Sequence, residues 1–295
     1  MIDLLITIGL FNIVVILFKL FPKYKVDNLQ ALIFNYITAA SLGVFMFYSK
    51  GGSLSITGIV NANWFLHSIA IGVLFIVVFN FYAFGTQKVG VAISTVANKM
   101  SMIFPTIAGL VLYAETNFMI YKVLGFIFAI VGIYLTSTKN GKLSFDKKHI
   151  WIILAIFVGQ GIADILFGNC SKLPGAQSQT ELIFVVLFII AALVGFIMLT
   201  GKSLGGGAKF EARNILWGIA VGLPNYGTLF FMFRALQTSG LDQSEVYPII
   251  SMGAVFSSAL IGWLLFKEKL NSGNWLGIAF AILGIAIITF GKYIY

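Results

Sequence analysis

At 295 residues the chain is long enough for a sizeable core, yet 59% of it is hydrophobic, 10% is charged and the mean hydropathy is +0.99. Soluble globular domains carry about 25% charged residues, so that class is excluded. The net charge of +9 comes from lysines and arginines standing singly or in pairs between apolar runs, which argues against a nucleic-acid partner and for loops at a lipid headgroup surface.

The apolar runs are about 20 residues long, the length a helix needs to cross ~30 Å of hydrocarbon. Ten transmembrane helices are predicted, over 2–21, 28–49, 64–87, 90–113, 117–137, 149–170, 179–200, 213–237, 243–266 and 272–291. The first lacks a basic leader and a small-x-small cleavage site, so it reads as a span rather than a signal peptide. Nothing shows the alternation of a β-barrel, and helices satisfy their own backbone in lipid. The fold class expected is an all-α polytopic membrane protein. Cys170, alone in the chain, allows no intrachain disulfide.

A few residues stand against the apolar trend. Asn12, Asn35 and Asn80 lie in the first three spans, and the fourth carries "VANKMSM", with Asn98 and Lys99. An ammonium near the bilayer centre costs about 2.5–3.5 kcal/mol on insertion scales. Lys99 is about nine residues, or ~13 Å of rise, from the predicted helix start, too deep for easy snorkelling. It is therefore expected to face a cavity or a partner. Asp164, in "GQGIADILFGN" of the sixth span, is too short to snorkel. In the eighth, "GLPNYG" sets glycine and proline beside Asn225 and Tyr226, where a broken or kinked helix would free backbone carbonyls. Pro105 and Pro248 are further kink candidates. Glu245 falls near the start of the ninth span, at an interface or in a coupling role. Interhelical hydrogen bonding accounts for many polar residues in spans, Gln160 and Ser101 among them.

The two halves of the chain repeat. Gly125–Gly132 and Gly277–Gly284 both read G-x-x-F-A-I-x-G, and a glutamate precedes each, Glu115 and Glu268. At a shift of 150, Gln87, Gly90, Ser94, Val96, Ser101 and Met102 fall on Gln237, Gly240, Ser244, Val246, Ser251 and Met252. A run of matches at near-constant offset indicates duplication. The expected organisation is a first repeat over 1–137, a connecting loop over 138–148 and a second repeat over 149–295. Each repeat holds five helices, and an odd unit enters the membrane from opposite sides in its two copies. Inverted repeats are typical of secondary transporters. Glu115 and Glu268, each just before a new helix, read as N-terminal caps, and the glycine seams as close helix packing.

In these features the chain resembles the EamA-like families of the drug/metabolite transporter superfamily. That resemblance implies a transporter or exporter of small metabolites, and termini in the cytoplasm. The bias of basic residues toward the odd-numbered loops puts the termini outside instead.

No HExxH, GxSxG or His/Cys cluster is present, and "TGKSLGGG" has Phe196 where a phosphate loop needs glycine. No enzyme activity, metal or cofactor is expected, and transport is read as driven by a gradient rather than by ATP. The expectation is a multi-pass secondary transporter of the cell membrane, moving a small polar or amphipathic metabolite outward by alternating access. Its candidate substrate-binding residues are Lys99, Asn98, Asp164, Asn80, Asn225 and Tyr226. Lys99 and Asp164 are expected to share a central cavity, one holding an anionic group and the other, or Glu245, coupling to a proton or another ion. The alternatives are a non-transporting receptor or assembly subunit, and a flippase for a lipid-linked substrate.

Overall fold

A computed structural model describes residues 2–53, 55–104, 120–139, 142–143, 145–171, 173–204, 210–238 and 243–291. The described chain is helical, save for one two-residue strand pair, Thr138–Lys139 with Lys142–Leu143. The helices are α1 (Ile2–Leu20), α2 (Asn28–Ser49), α3 (Ile56–Val60), α4 (Phe65–Lys88), α5 (Val91–Met100), α6 (Ile120–Ser137), α7 (Ile150–Ser171), α8 (Thr180–Leu204), α9 (Ala212–Thr238), α10 (Gln243–Leu264) and α11 (Ser272–Phe290). Of these, α1, α2, α4, α7, α8 and the Ala212–Met232 part of α9 are long and apolar enough to cross a membrane. Shorter apolar stretches lie in α6, α10 and α11.

One expected helix is described only in its first part. The predicted span 90–113 begins as α5, but α5 ends at Met100, and Ser101–Met102 form a turn. Ile103 and Phe104 are helical again; residues 105–113 of that span, Pro105 among them, and Glu115 beyond it lie outside the described residues.

The chain forms two compact units. Unit 1 comprises Met1–Lys19, Phe81–Ile162 and Gly227–Tyr295, and unit 2 comprises Leu20–Asn80 and Ala163–Tyr226, so each draws on both halves of the sequence.

In unit 1 the core joins Ala92, Val96 and Met100 of α5 to Val255 and Ala259 of α10 and to Ile278, Ala281 and Ile285 of α11. The three- and four-residue spacings put each set on one helix face. The repeated glycine motif forms a seam between α6 and α11. A Cβ on Gly277 would lie 2.6 Å from the Thr136 amide nitrogen and 2.9 Å from the Gly132 carbonyl oxygen. Only glycine lets these backbones approach so closely, as the motif implied. Phe128 meets Phe280 further along, at a centroid separation of 5.0 Å, so the two helices run antiparallel. Asn271 and Asn274 form a capping box at the start of α11, and Asn274 Nδ2 donates to the Leu135 and Thr136 carbonyls at 3.1 and 2.8 Å.

In unit 2, α8 buries Leu187, Phe188, Ala191, Ala192 and Gly195 on one side and exposes Ile189, Leu193, Phe196 and Ile197 on the other. An exposed apolar face of this kind is suited to lipid. Gly218 and Gly222 of α9 press on α2, where added Cβ atoms would stand 2.6 Å from the Ala31 carbonyl and 2.7 Å from the Asn35 carbonyl. A polar knot ties the start of α2 to the start of α9. Asp27 caps α2 through the Gln30 amide, its own N–H donates to Asn214 Oδ1 at 3.0 Å, and Asn214 Nδ2 donates to Gln30 Oε1 at 2.8 Å. Asn214 and Gln30 are each 1% exposed, so water cannot replace these bonds. Asn214→Leu is expected to cost about 1–3 kcal/mol by stranding both partners, and thermal unfolding of the detergent-solubilised protein measures it.

Candidate functional site

The short helix α5 organises the best-defined polar constellation, and all of it lies in unit 1. With ten residues α5 rises only ~15 Å, and Lys99 occupies its last turn. The C-cap is Ser101, whose Oγ donates to the Asn98 carbonyl at 2.5 Å. A cation at a helix C-terminus gains about 0.3–1 kcal/mol from the macrodipole. Lys99 lies in the last turn of α5, just ahead of the Ser101–Met102 turn.

Lys99 is also braced. Its Nζ lies 4.1 Å from the Phe11 ring centroid, a cation–π contact worth about 0.5–2 kcal/mol. Phe11 stacks on Tyr82 with centroids 6.2 Å apart and planes at 24°, and the Tyr82 hydroxyl meets Thr95 Oγ1 at 2.8 Å. Thr95 is one turn before Lys99 on α5, so the contacts close a ring through α1, α4 and α5. Beside it, Asn98 Nδ2 donates to Gln160 Oε1 of α7 at 2.9 Å, and Asn12 Nδ2 donates to Ser257 Oγ of α10 at 2.7 Å. The buried Asn12 Oδ1 and Ser94 Oγ have no hydrogen-bond partner among the described residues.

The other end of α5 is held by charge as well. Gly90 precedes it at φ +123°, a conformation that favours glycine, and the Val91 N–H donates to Glu268 Oε1 at 2.8 Å. The same oxygen accepts from Lys19 Nζ at 2.9 Å, and Lys19 also donates to the Thr86 carbonyl at 2.7 Å. Lys267, at φ 52°, turns the chain back after α10, and Gly262 leaves room for the carboxylate, since a Cβ there would be 2.6 Å from Glu268 Oε2. Glu268 is thus a cap, as its position before a helix suggested, but of a different helix. Asn271 caps α11 itself, and Glu268 caps α5 from the far end of the sequence.

The remaining predicted residues lie on α2, α4, α7, α9 and α10. Asn225 Nδ2 donates to Asn35 Oδ1 at 3.0 Å in unit 2, leaving the buried Asn35 Nδ2 without a partner. Tyr226 is buried beside Gly43. Asn80 is half-buried on α4, and Asp164 is half-buried on α7, one helical turn after Gln160. Glu245 lies in the first turn of α10, its side chain outside the described residues. "GLPNYG" does not break its helix, because α9 runs from Ala212 through Pro224 to Thr238. Sequence reasoning missed Phe11 and Lys19. An apolar ring carries no signal of its own, and Lys19 resembles any basic residue at a span end.

The chain's own cations take up most of its described carboxylates. Asp3 binds Arg234, Asp27 binds Lys202, Asp146 binds Lys148, Glu181 binds Lys50, Glu211 binds Arg213, and Glu268 binds Lys19. Among the described residues no three His, Cys, Asp or Glu side chains converge as a metal site requires.

Residues 147–290 match the model of the EamA-like transporter family. An uncharacterised transporter from the cobO 3' region of Sinorhizobium sp. is 32% identical over 104 residues, which span 35% of this chain and 69% of the relative. The chain belongs to the EamA-like transporter family. This EamA-like chain is also similar to an uncharacterised Haemophilus influenzae protein, at 28% identity over 92% of the chain and 91% of that protein. The spermidine export protein MdtI of Shigella flexneri is 28% identical over 23% of the chain and 63% of its own length. A solved crystal structure shares the fold, with a TM-score of 0.62 at 13% identity over 97% of both chains. With its membrane-length helices, the protein is a multi-pass membrane protein of the EamA-like family.

Proposed function

We propose that the protein is a gradient-driven secondary transporter of the cell membrane that exports a small polar or amphipathic metabolite by alternating access. Ten spans form two inverted five-helix repeats, 1–137 and 149–295, and rocking of the repeats exposes a central site to each side in turn. One observation carries the reading: Lys99, in the last turn of α5, lies over the Phe11 ring and beside the Asn98–Gln160 pair. Intramembrane charges mark substrate or ion pathways. Asn98 and Gln160 complete the polar wall beside Lys99. Asp164 supplies the coupling carboxylate, and Asn80, Asn225 and Tyr226 are further contacts along the path.

Cells with and without the protein are compared for metabolites accumulating outside, in the presence and absence of an uncoupler. Export that requires the protein and collapses with the gradient is the expected result. Export surviving the uncoupler overturns the coupling mechanism, and no difference between the cells overturns transport. Wild-type flux in both Lys99→Met and Asp164→Asn would remove these residues from the mechanism.

A further inference from the structure

One end of unit 1 is strongly basic, and its contacts show how the lysines come together. Lys19 Nζ bridges the Thr86 carbonyl at 2.7 Å and Glu268 Oε1 at 2.9 Å, which draws the end of α4 onto the turn between α10 and α11. Lys88 stands two residues beyond Thr86, and Lys267 and Lys269 flank Glu268. The His149 ring lies edge-on to Phe84 at a centroid separation of 6.2 Å, so the start of α7 joins the same rim with Lys147 and Lys148. Asn274, donating to the Leu135 and Thr136 carbonyls, ties in the strand pair after α6, which carries Lys139 and Lys142. At the opposite end of the unit the described charged residues are Asp3, Lys122, Arg234 and Glu245, two of each sign.

Among the described residues the basic rim has only two carboxylates, and both are taken. Glu268 holds Lys19 and the first amide of α5, and Asp146 holds Lys148. Lys88, Lys147, Lys267 and Lys269 are exposed and make no ion pair among the described residues. Like charges gathered on one rim repel each other, and a counter-charge from outside the chain relieves that repulsion.

The surface beside the lysines identifies the counter-charge. Lys147 is followed on α7 by Ile150, Trp151 and Leu154, all exposed, and Lys267 is preceded by Trp263, Leu264 and Leu265, exposed as well. Trp151 packs against Phe81 at 5.2 Å and Trp263 against Trp275 at 6.1 Å, so both indoles have fixed places. Tryptophan at the end of a span marks the headgroup level of a bilayer. A free phosphate ion has no use for an apolar face, and a nucleic acid would leave it uncovered. A phospholipid matches both parts. We infer that this rim is a binding site for acidic phospholipid, with the phosphate headgroups on Lys88, Lys147, Lys267 and Lys269 and the acyl chains against the exposed faces of α7 and α10. The site goes beyond the transport reading and does not depend on it.

The test heats the purified full-length protein in neutral detergent with phosphatidylglycerol, phosphatidylcholine or inorganic phosphate at equal concentration. Phosphatidylglycerol is expected to raise the melting temperature by about 4–8 °C, and the other two are not. The shift should shrink at about 1 M salt, where charges are screened beyond ~3 Å. Changing Lys88, Lys147, Lys267 and Lys269 together to glutamine removes charges without ion-pair partners. That variant should melt no lower than wild type in plain detergent, yet bind phosphatidylglycerol at least about tenfold more weakly. Arginine at the same four positions should keep the response, and so should Lys122→Gln at the opposite end. No shift with phosphatidylglycerol, or an equal one with phosphatidylcholine, overturns the site. Equal protection by inorganic phosphate overturns the lipid in favour of an ion. A phosphatidylglycerol response that survives the four glutamines, or is lost with the four arginines, overturns the assignment to these lysines. No readout involves flux, so failure here leaves the transport reading standing.

Discussion

Glu268→Ala is expected to destabilise the protein by about 3–5 kcal/mol, because it leaves the Lys19 ammonium without its anion in a largely dry setting. It also uncaps α5, whose Val91 N–H loses its acceptor. Two roles are superimposed on one carboxylate, and they separate by mutation. Exchanging the charges, with Lys19→Glu and Glu268→Lys together, restores an ion pair but places a donor against the α5 amides. If Glu268 serves only as a counter-ion, the double exchange recovers stability; if it is a cap, as the geometry shows, the exchange fails. Glu268→Gln, which keeps an acceptor, is expected to lose less than Glu268→Ala. Thermal unfolding in detergent ranks the set, and equal losses in Glu268→Gln and Glu268→Ala would discard the capping role.

Gly277→Val should also fall among the most damaging single changes. The new side chain would begin 2.6 Å from the Thr136 amide nitrogen and 2.8 Å from Leu135 Cβ, with backbone on the near side that cannot step aside. Overpacking of this kind costs about 1–3 kcal/mol where side chains can shift, and the upper end applies where they cannot. Gly9→Ala provides the control of opposite sign. Gly9 is exposed on α1 with nothing within 4 Å of an added Cβ, so alanine should be neutral or stabilising by about 0.5–1 kcal/mol through helix propensity. Monodispersity after heating, read by size-exclusion chromatography, distinguishes the two. A Gly277→Val protein as stable as wild type would show that α6 and α11 do not pack as described.

Much of the architecture was legible because lipid simplifies the code. Apolar length sets the spans, and α2 has the bounds hydropathy suggested, 28–49. The glycine spacing of the repeat announced close packing, and Gly132 against Gly277 is that packing. Legibility failed where long-range partners decide. The turn at Ser101–Met102 was marked only indirectly, by Pro105 four residues after Ser101, where a proline removes a backbone donor. The partner of Glu268 could not be read, because a cap 177 residues away in sequence is invisible to local spacing. Among the candidate site residues the charge of Lys99 was the readable part. Its platform was not, because Phe11 is one phenylalanine among 29. Proline misled in the opposite direction: Pro224 removes one backbone donor, yet α9 continues through it, as helices in membranes tolerate when neighbours compensate.

The cap on α5 also dictates an order of biosynthesis. Val91 emerges from the ribosome long before the residue that completes its helix. At roughly 5–20 residues per second, the intervening 177 residues take about 9–35 s to make. Throughout that interval α5 has an open N-terminus, and Lys19 has already waited longer for the same carboxylate. Segments 2–104 therefore reach the membrane with unmatched charges at a stage when the second half does not exist. Closure of α5 waits for the turn between α10 and α11.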